Sequence, residues 1–197
     1  MPARKDADSP RIYQLKVTLK HVKPPIWRRF QVRADISLDS LHGLLQDIMG
    51  WSNGHLHVFE VGQMQFGDCA LLEDGDVHSS RTTRLEDALP NVGDKLNYLY
   101  DFGDGWEHVV LVEKALDPEF GTEYPVCLQG KRNCPPEDCG GPWGYQVLLE
   151  TLADPSHEEH ETMMEWIGGA FDSELFDCET VNLLLKRRAP VKRSKTR

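Results

Sequence analysis

Two β-rich runs, Leu96 to Phe102 and Trp106 to Glu113, are separated only by Gly103-Asp104-Gly105. Such runs around an Asp-Gly step predict a β-hairpin, because glycine accepts the positive φ that a tight reversal imposes. A hairpin commits the chain to antiparallel pairing, so the remaining sequence has to extend that sheet and cover one of its faces. Tyr13, Leu15, Val17 and Leu19 alternate with polar residues, and after the break at Pro24-Pro25 a second strand carries Ile26, Phe30 and Val32. The two are expected to pair. Ser37 can cap a helix that places Leu38, Leu41, Leu44, Leu45 and Ile48 on one face and ends at Gly50. Beyond Asn53-Gly54, residues 55–61 read as a strand with His55, His57 and Phe59 on one face and Leu56 and Val58 on the other. Residues 67–80 read as a loop, Leu85 to Leu89 as a helical turn stopped by Pro90, and 117–142 as a long Pro/Gly-rich connection.

The last third reads as helical. Gly141-Pro142 opens a helix through Tyr145, Val147, Leu148 and Leu152. Ser156 with Glu159 forms a capping box for a helix burying Met163, Trp166 and Ile167. Asp177 caps a final helix with Cys178, Val181, Leu184 and Leu185 on one face. The predicted class is therefore α+β: a mixed, mainly antiparallel sheet with flanking helices and a helical C-terminal third. One domain over residues 11–187 is expected between a flexible leader (1–10) and a basic, disordered tail (188–197).

With 197 residues and 40% apolar content, the chain can bury a core without a disulfide scaffold. No apolar run approaches the roughly 18 residues of a membrane span, and the charged start has no signal-peptide centre. A cytoplasmic location and no membrane partner are the expectation. The five cysteines are an odd number, which favours thiols or metal ligands over a complete disulfide set. The net charge of −10 is uneven, since Lys186, Arg187, Arg188, Lys192, Arg193, Lys195 and Arg197 leave 15 basic residues against 32 acidic ones elsewhere. Such an acidic body repels phosphate backbones, so nucleic acid is expected at most weakly, through the basic tail.

Two stretches concentrate ligand-capable side chains among glycines and prolines: Tyr100-Asp101-Phe102-Gly103-Asp104-Gly105-Trp106-Glu107-His108 and Cys134-Pro135-Pro136-Glu137-Asp138-Cys139-Gly140-Gly141. Cys127, Cys134 and Cys139, with a fourth ligand from His108, His57 or a carboxylate, are a candidate metal set, zinc being the cation that thiolates take. The alternative is that these thiols merely pack the loop. His55, His57, Asp101, Asp104 and His108 are a second candidate set, because two imidazoles and a carboxylate suit a cation with an open position. Against that, Asp101 and Asp104 can simply bind turn amides. Glu137 and Asp138 can be aimed into a cleft or cap the next helix, and Trp106, Trp143 and Tyr145 can wall a pocket or fill the core. Phosphate-loop, dinucleotide-loop, zinc-helix and serine-elbow motifs are all absent from the sequence.

Tyr13 to Val17, Pro25 to Arg29, Trp51 through Phe59, and the two ligand-rich stretches occur together and in order. In that combination the chain resembles the Ri-plasmid ORF-three-like family, also labelled transposon-passenger, TnpR-like proteins, over about residues 11–187. The resemblance implies an α+β fold and a setting on prokaryotic plasmids and mobile elements, and it implies no agreed activity. The expectation is a binding module with a ligand or metal cleft between the 101–108 hairpin and the 134–141 loop, its partner a small ligand, a metal or a protein. The alternative is a metal-dependent hydrolase with His55, His57, Asp101 and His108 as ligands and Glu137 or Asp138 as general base. The resolvase-like label implies a third, a DNA-associated protein. Whether the site is catalytic is left open by the sequence.

Overall fold

The computed structural model describes residues 10–70 and 77–188. The leader, apart from Pro10, and the basic tail, apart from Arg188, lie outside the described residues. In chain order the elements are β1 (Ile12–Leu19), β2 (Trp27–Arg33), α1 (Leu38–Met49), β3 (His57–Val61), β4 (Met64–Gly67), β5 (Val77–Ser79), α2 (Leu85–Ala88), β6 (Lys95–Tyr100), β7 (Trp106–Leu116), β8 (Val126–Lys131), α3 (Gly141–Ala153), α4 (His160–Trp166) and α5 (Cys178–Arg188). The strands form one sheet in the order β5-β4-β3-β6-β7-β1-β2-β8, antiparallel throughout except for the β4–β5 pair.

The period-two pattern decides which face is dry. Leu15, Val17 and Leu19 of β1 align with Val112, Val110 and His108 of β7, and Tyr98 of β6 aligns with His108 on one side and Phe59 on the other. All of these are buried, so one apolar row crosses the sheet. The opposite face is polar: Arg29 on β2 reaches over β1 to Glu113 on β7, with Nε 2.6 Å from a carboxylate oxygen. An antiparallel sheet wetted on one side produces this alternation.

Helix α1 closes the dry face. Ser37 accepts a hydrogen bond from the Ser40 amide at 3.1 Å, and Gly50 ends the helix at φ +95°. Its buried polar residues form a closed set with the sheet. His42 Nδ1 is 2.8 Å from the Tyr98 hydroxyl, Gln46 Nε2 donates to the same hydroxyl at 2.9 Å, and Asn53 N donates to Gln46 Oε1 at 2.9 Å. Arg28 is also buried, its guanidinium donating to the carbonyls of Ile48, Trp27 and Lys131 and lying 4.1 Å from the Phe176 ring centroid. A cation against the last carbonyls of α1 complements the helix dipole.

The structure corrects the sequence reading in six places. The expected loop 117–142 contains strand β8, which pairs with β2 from Trp27↔Lys131 to Gln31↔Val126. The expected loop 67–80 contains β5. The C-terminal third is three separate helices of 13, 7 and 11 residues set in loops rather than a helical region. The capping box fails, because the Ser156 hydroxyl turns back to Asp154 Oδ1 at 2.6 Å and α4 begins without a side-chain cap. A nearby carboxylate competes with the helix amides for that hydroxyl. Trp166, expected inside, is 48% exposed. Leu184, expected on the buried face of α5, is exposed as well.

Candidate functional site

Asp101 follows β6 in the left-handed region, φ +57°, and its Oδ1 accepts the Gly103 amide at 2.9 Å and the Asp104 amide at 3.3 Å. One oxygen thereby fixes the hairpin turn. The other, Oδ2, lies 3.6 Å from His55 Nδ1, and on the far side of that imidazole Nε2 lies 3.3 Å from Asp138 Oδ1. The ligand atoms of His55, Asp101 and Asp138 all fall within 4.8 Å of one another, the one such group of three among the described residues. Asp101 is buried, His55 half-buried and Asp138 exposed, so the group opens to solvent on one side.

Three segments meet to make this arrangement. Glu137 joins them: its Oε2 accepts the Ser52 amide at 3.1 Å and the Ser52 hydroxyl, and its Oε1 accepts the Tyr100 hydroxyl. Tyr100 in turn accepts the Gly54 amide at 3.1 Å, and Trp51 Nε1 donates to the Pro135 carbonyl at 3.0 Å. Burial pushes the Glu137 carboxyl up, but the hydrogen bonds from Ser52 and Tyr100 outweigh it and leave it below the usual range. Burial, with Glu137 beside it, holds the Tyr100 hydroxyl well above its ordinary value. The hairpin tip touches the Pro-Pro loop directly, since the Gly140 amide donates to Asp104 Oδ2 at 3.2 Å.

The other sequence candidates lie apart from that group. His57 is in β3, stacked on His42 with ring centroids 3.5 Å apart, and burial pushes it down to about 3. His108 and Trp106 are fully buried on the dry face, where Trp51 packs against both rings. His108 Nδ1 lies 3.2 Å from the Tyr98 carbonyl and so carries the proton, and burial pushes the imidazole down to about 4.

Two cysteine neighbourhoods form, Cys127 with Cys178 and Cys134 with Cys139, and no cysteine joins a metal-sized group of three among the described residues. Cys127 is in β8, its peptide held by Asn182 and its carbonyl accepting the Cys178 thiol at 3.2 Å. Cys134 is buried, and desolvation raises its thiol. Cys139, half-buried, is pushed up to about 12, chiefly by desolvation and then by Asp104. A thiol held in its protonated form is a poor nucleophile. The sequence reading missed Ser52 and Tyr100 as members of the site. Tyr100 opens the ligand-rich 100–108 stretch and Ser52 adjoins the Asn53-Gly54 turn, and those positions are the signal the sequence carries.

A single-sheet α+β protein with an imidazole between two carboxylates at the sheet's loop end is the class these features define. The chain belongs to the plasmid pRiA4b ORF-3-like protein family, whose pattern matches residues 11–180. It is similar to the uncharacterized protein y4hQ of Sinorhizobium fredii (strain NBRC 101917 / NGR234), 44% identical over 174 residues, 87% of this chain and 89% of that one. It is also similar to the crystal structure of a protein of unknown function, MM3350, from Methanosarcina mazei Go1, with a TM-score of 0.80 and 39% identity over 87% of this chain and 97% of that one. No helix of the described residues is long and apolar enough to cross a membrane.

Proposed function

We propose that the protein is a binding module whose cleft, where the hairpin meets the Pro-Pro loop, holds a divalent transition-metal cation on His55, Asp101 and Asp138. The observation that carries this reading is the clustering of one nitrogen and two oxygen donors within 4.8 Å. Donors around zinc or manganese lie about 3.0–3.5 Å apart at metal–ligand distances of about 2.1 Å. The group would have to contract by roughly 1 Å around such an ion. Asp138, whose side chain is 72% exposed, is free to make that movement. Three protein ligands leave positions open for water or for a ligand's own donor.

The hydrolase alternative would use the same cation but lacks a spare base. Both Glu137 oxygens already accept hydrogen bonds, and Asp138 is itself a ligand. Binding is therefore the better-supported role. Calorimetric titration of chelator-treated protein with Zn²⁺ and Mn²⁺ tests it, with one-to-one binding expected and a loss of about tenfold or more on Asp101→Asn. Unchanged binding in Asp101→Asn and Asp138→Asn, or no binding and no thermal shift with either ion, would end it.

A further inference from the structure

A second recess opens on the far side of Asp138. It has a volume of about 410 Å³ between α3 and α4, which the half-buried His160 joins through Nδ1, 3.0 Å from the Thr151 carbonyl. Its walls are Trp143, Val147, Met163 and Trp166. Trp143 is 78% exposed and Trp166 48%, large apolar surfaces that a solvated face does not normally carry. At its base α3 packs directly on the preceding loop at Gly144, where a Cβ would come within 2.0 Å of the Cys139 carbonyl oxygen. At the mouth stand Asp138 and Glu159, and no lysine or arginine lines the recess. The surrounding sequence is equally one-sided, since residues 133–185 hold twelve Asp or Glu and no Lys or Arg.

Indole walls with carboxylates at the rim and no cation to neutralise them select positive charge on an apolar stem. A recess of this volume also falls within the range of small-molecule sites, about 300–1,000 Å³. We propose that the α3–α4 recess is a binding site for an organic cation: a protonated amine on an apolar or aromatic body, the body between Trp143 and Trp166 and the ammonium at Glu159 and Asp138. The site shares Asp138 with the metal reading, but its indole walls and Glu159 lie outside that group, so it does not depend on a bound metal.

The test is calorimetric and fluorimetric titration of the full, chelator-treated chain with 4-phenylbutylamine and with its anionic counterpart 4-phenylbutyrate. Saturable binding of the amine alone, quenching tryptophan emission and weakening with added salt, is expected. Glu159→Gln should weaken it about two- to fivefold. Trp166→Ala should weaken it about two- to thirtyfold, with Trp166→Phe intermediate. Equal binding of amine and acid, no binding of the amine, or wild-type affinity in both Glu159→Gln and Trp166→Phe would overturn the proposal. Because Glu159 and Trp166 are outside the His55–Asp101–Asp138 group, amine binding without metal binding would sink only the metal reading, and the reverse only this one.

Discussion

The contact that assembles the candidate site can be perturbed at one atom. Gly141 has φ +70°, and a Cβ built there would lie 2.2 Å from the Asp104 backbone oxygen, on the hairpin tip. Gly141→Ala therefore carries two penalties. Holding an L-residue in the left-handed region costs about 1–2 kcal/mol, and forcing a methyl into an occupied space costs about 1–3 kcal/mol more. Gly140→Ala separates them, because Gly140 is also left-handed, φ +89°, yet a Cβ there would meet nothing closer than 3.5 Å. Gly105→Ala is a second control, with φ +68° and nothing within 4 Å. Urea denaturation of the three variants should show Gly141→Ala less stable than either control by about 1–3 kcal/mol. The displaced loop carries Asp138 away from His55, so cation binding should weaken in Gly141→Ala and persist in Gly140→Ala at temperatures where both are folded. Equal stability of Gly140→Ala and Gly141→Ala would refute the claim that close backbone approach, rather than glycine's conformational freedom, holds the two loops together.

His108 should make stability depend on pH. Burial pushes the folded imidazole to about 4 against an ordinary 6.5, so between these values the unfolded chain binds the extra proton and stability falls with acidification; above 6.5 this contribution is flat. His108→Gln keeps a donor for the Tyr98 carbonyl but does not titrate, and its stability curve should be shallower by up to about 1.4 kcal/mol per pH unit in that window, whereas parallel curves would show the imidazole protonating freely in the fold. Asn182 on α5 occupies the edge strand by donating to the Cys127 carbonyl at 2.9 Å and accepting the Cys127 amide at 2.7 Å. Asn182→Ala should cost about 1–3 kcal/mol and speed exchange of the Cys127 amide, and unchanged protection at that amide would mean the clamp is dispensable.

What was readable in advance was local. The β6–β7 hairpin, the β1–β2 pair and α1 all follow from periods of two or 3.6 residues bounded by a glycine, a proline or a capping serine, and each survives in the structure. β8 escaped because it is an edge strand without alternation, with Cys127 its one buried position, and its place depends on a partner, β2, about a hundred residues earlier. The two imidazoles expected side by side in one strand diverged for a related reason. His57 is inside β3 and takes the dry face with Phe59, whereas His55 precedes the strand and is free to turn towards Asp101.

The site divides along the same line. Turn chemistry is written in neighbouring residues, so the sequence alone puts Asp104 in a hairpin turn, offers Asp101 and Asp104 to its amides, and sets Glu137 and Asp138 after a rigid Pro-Pro pair. Only the tertiary structure decided that Asp138 faces His55 while His108 and the cysteines do not join them, and that Trp143 and Trp166 wall a recess instead of filling the core. Which groups become neighbours depends on how strands far apart in the chain align and how helices cover them, and residue spacing carries no record of that packing.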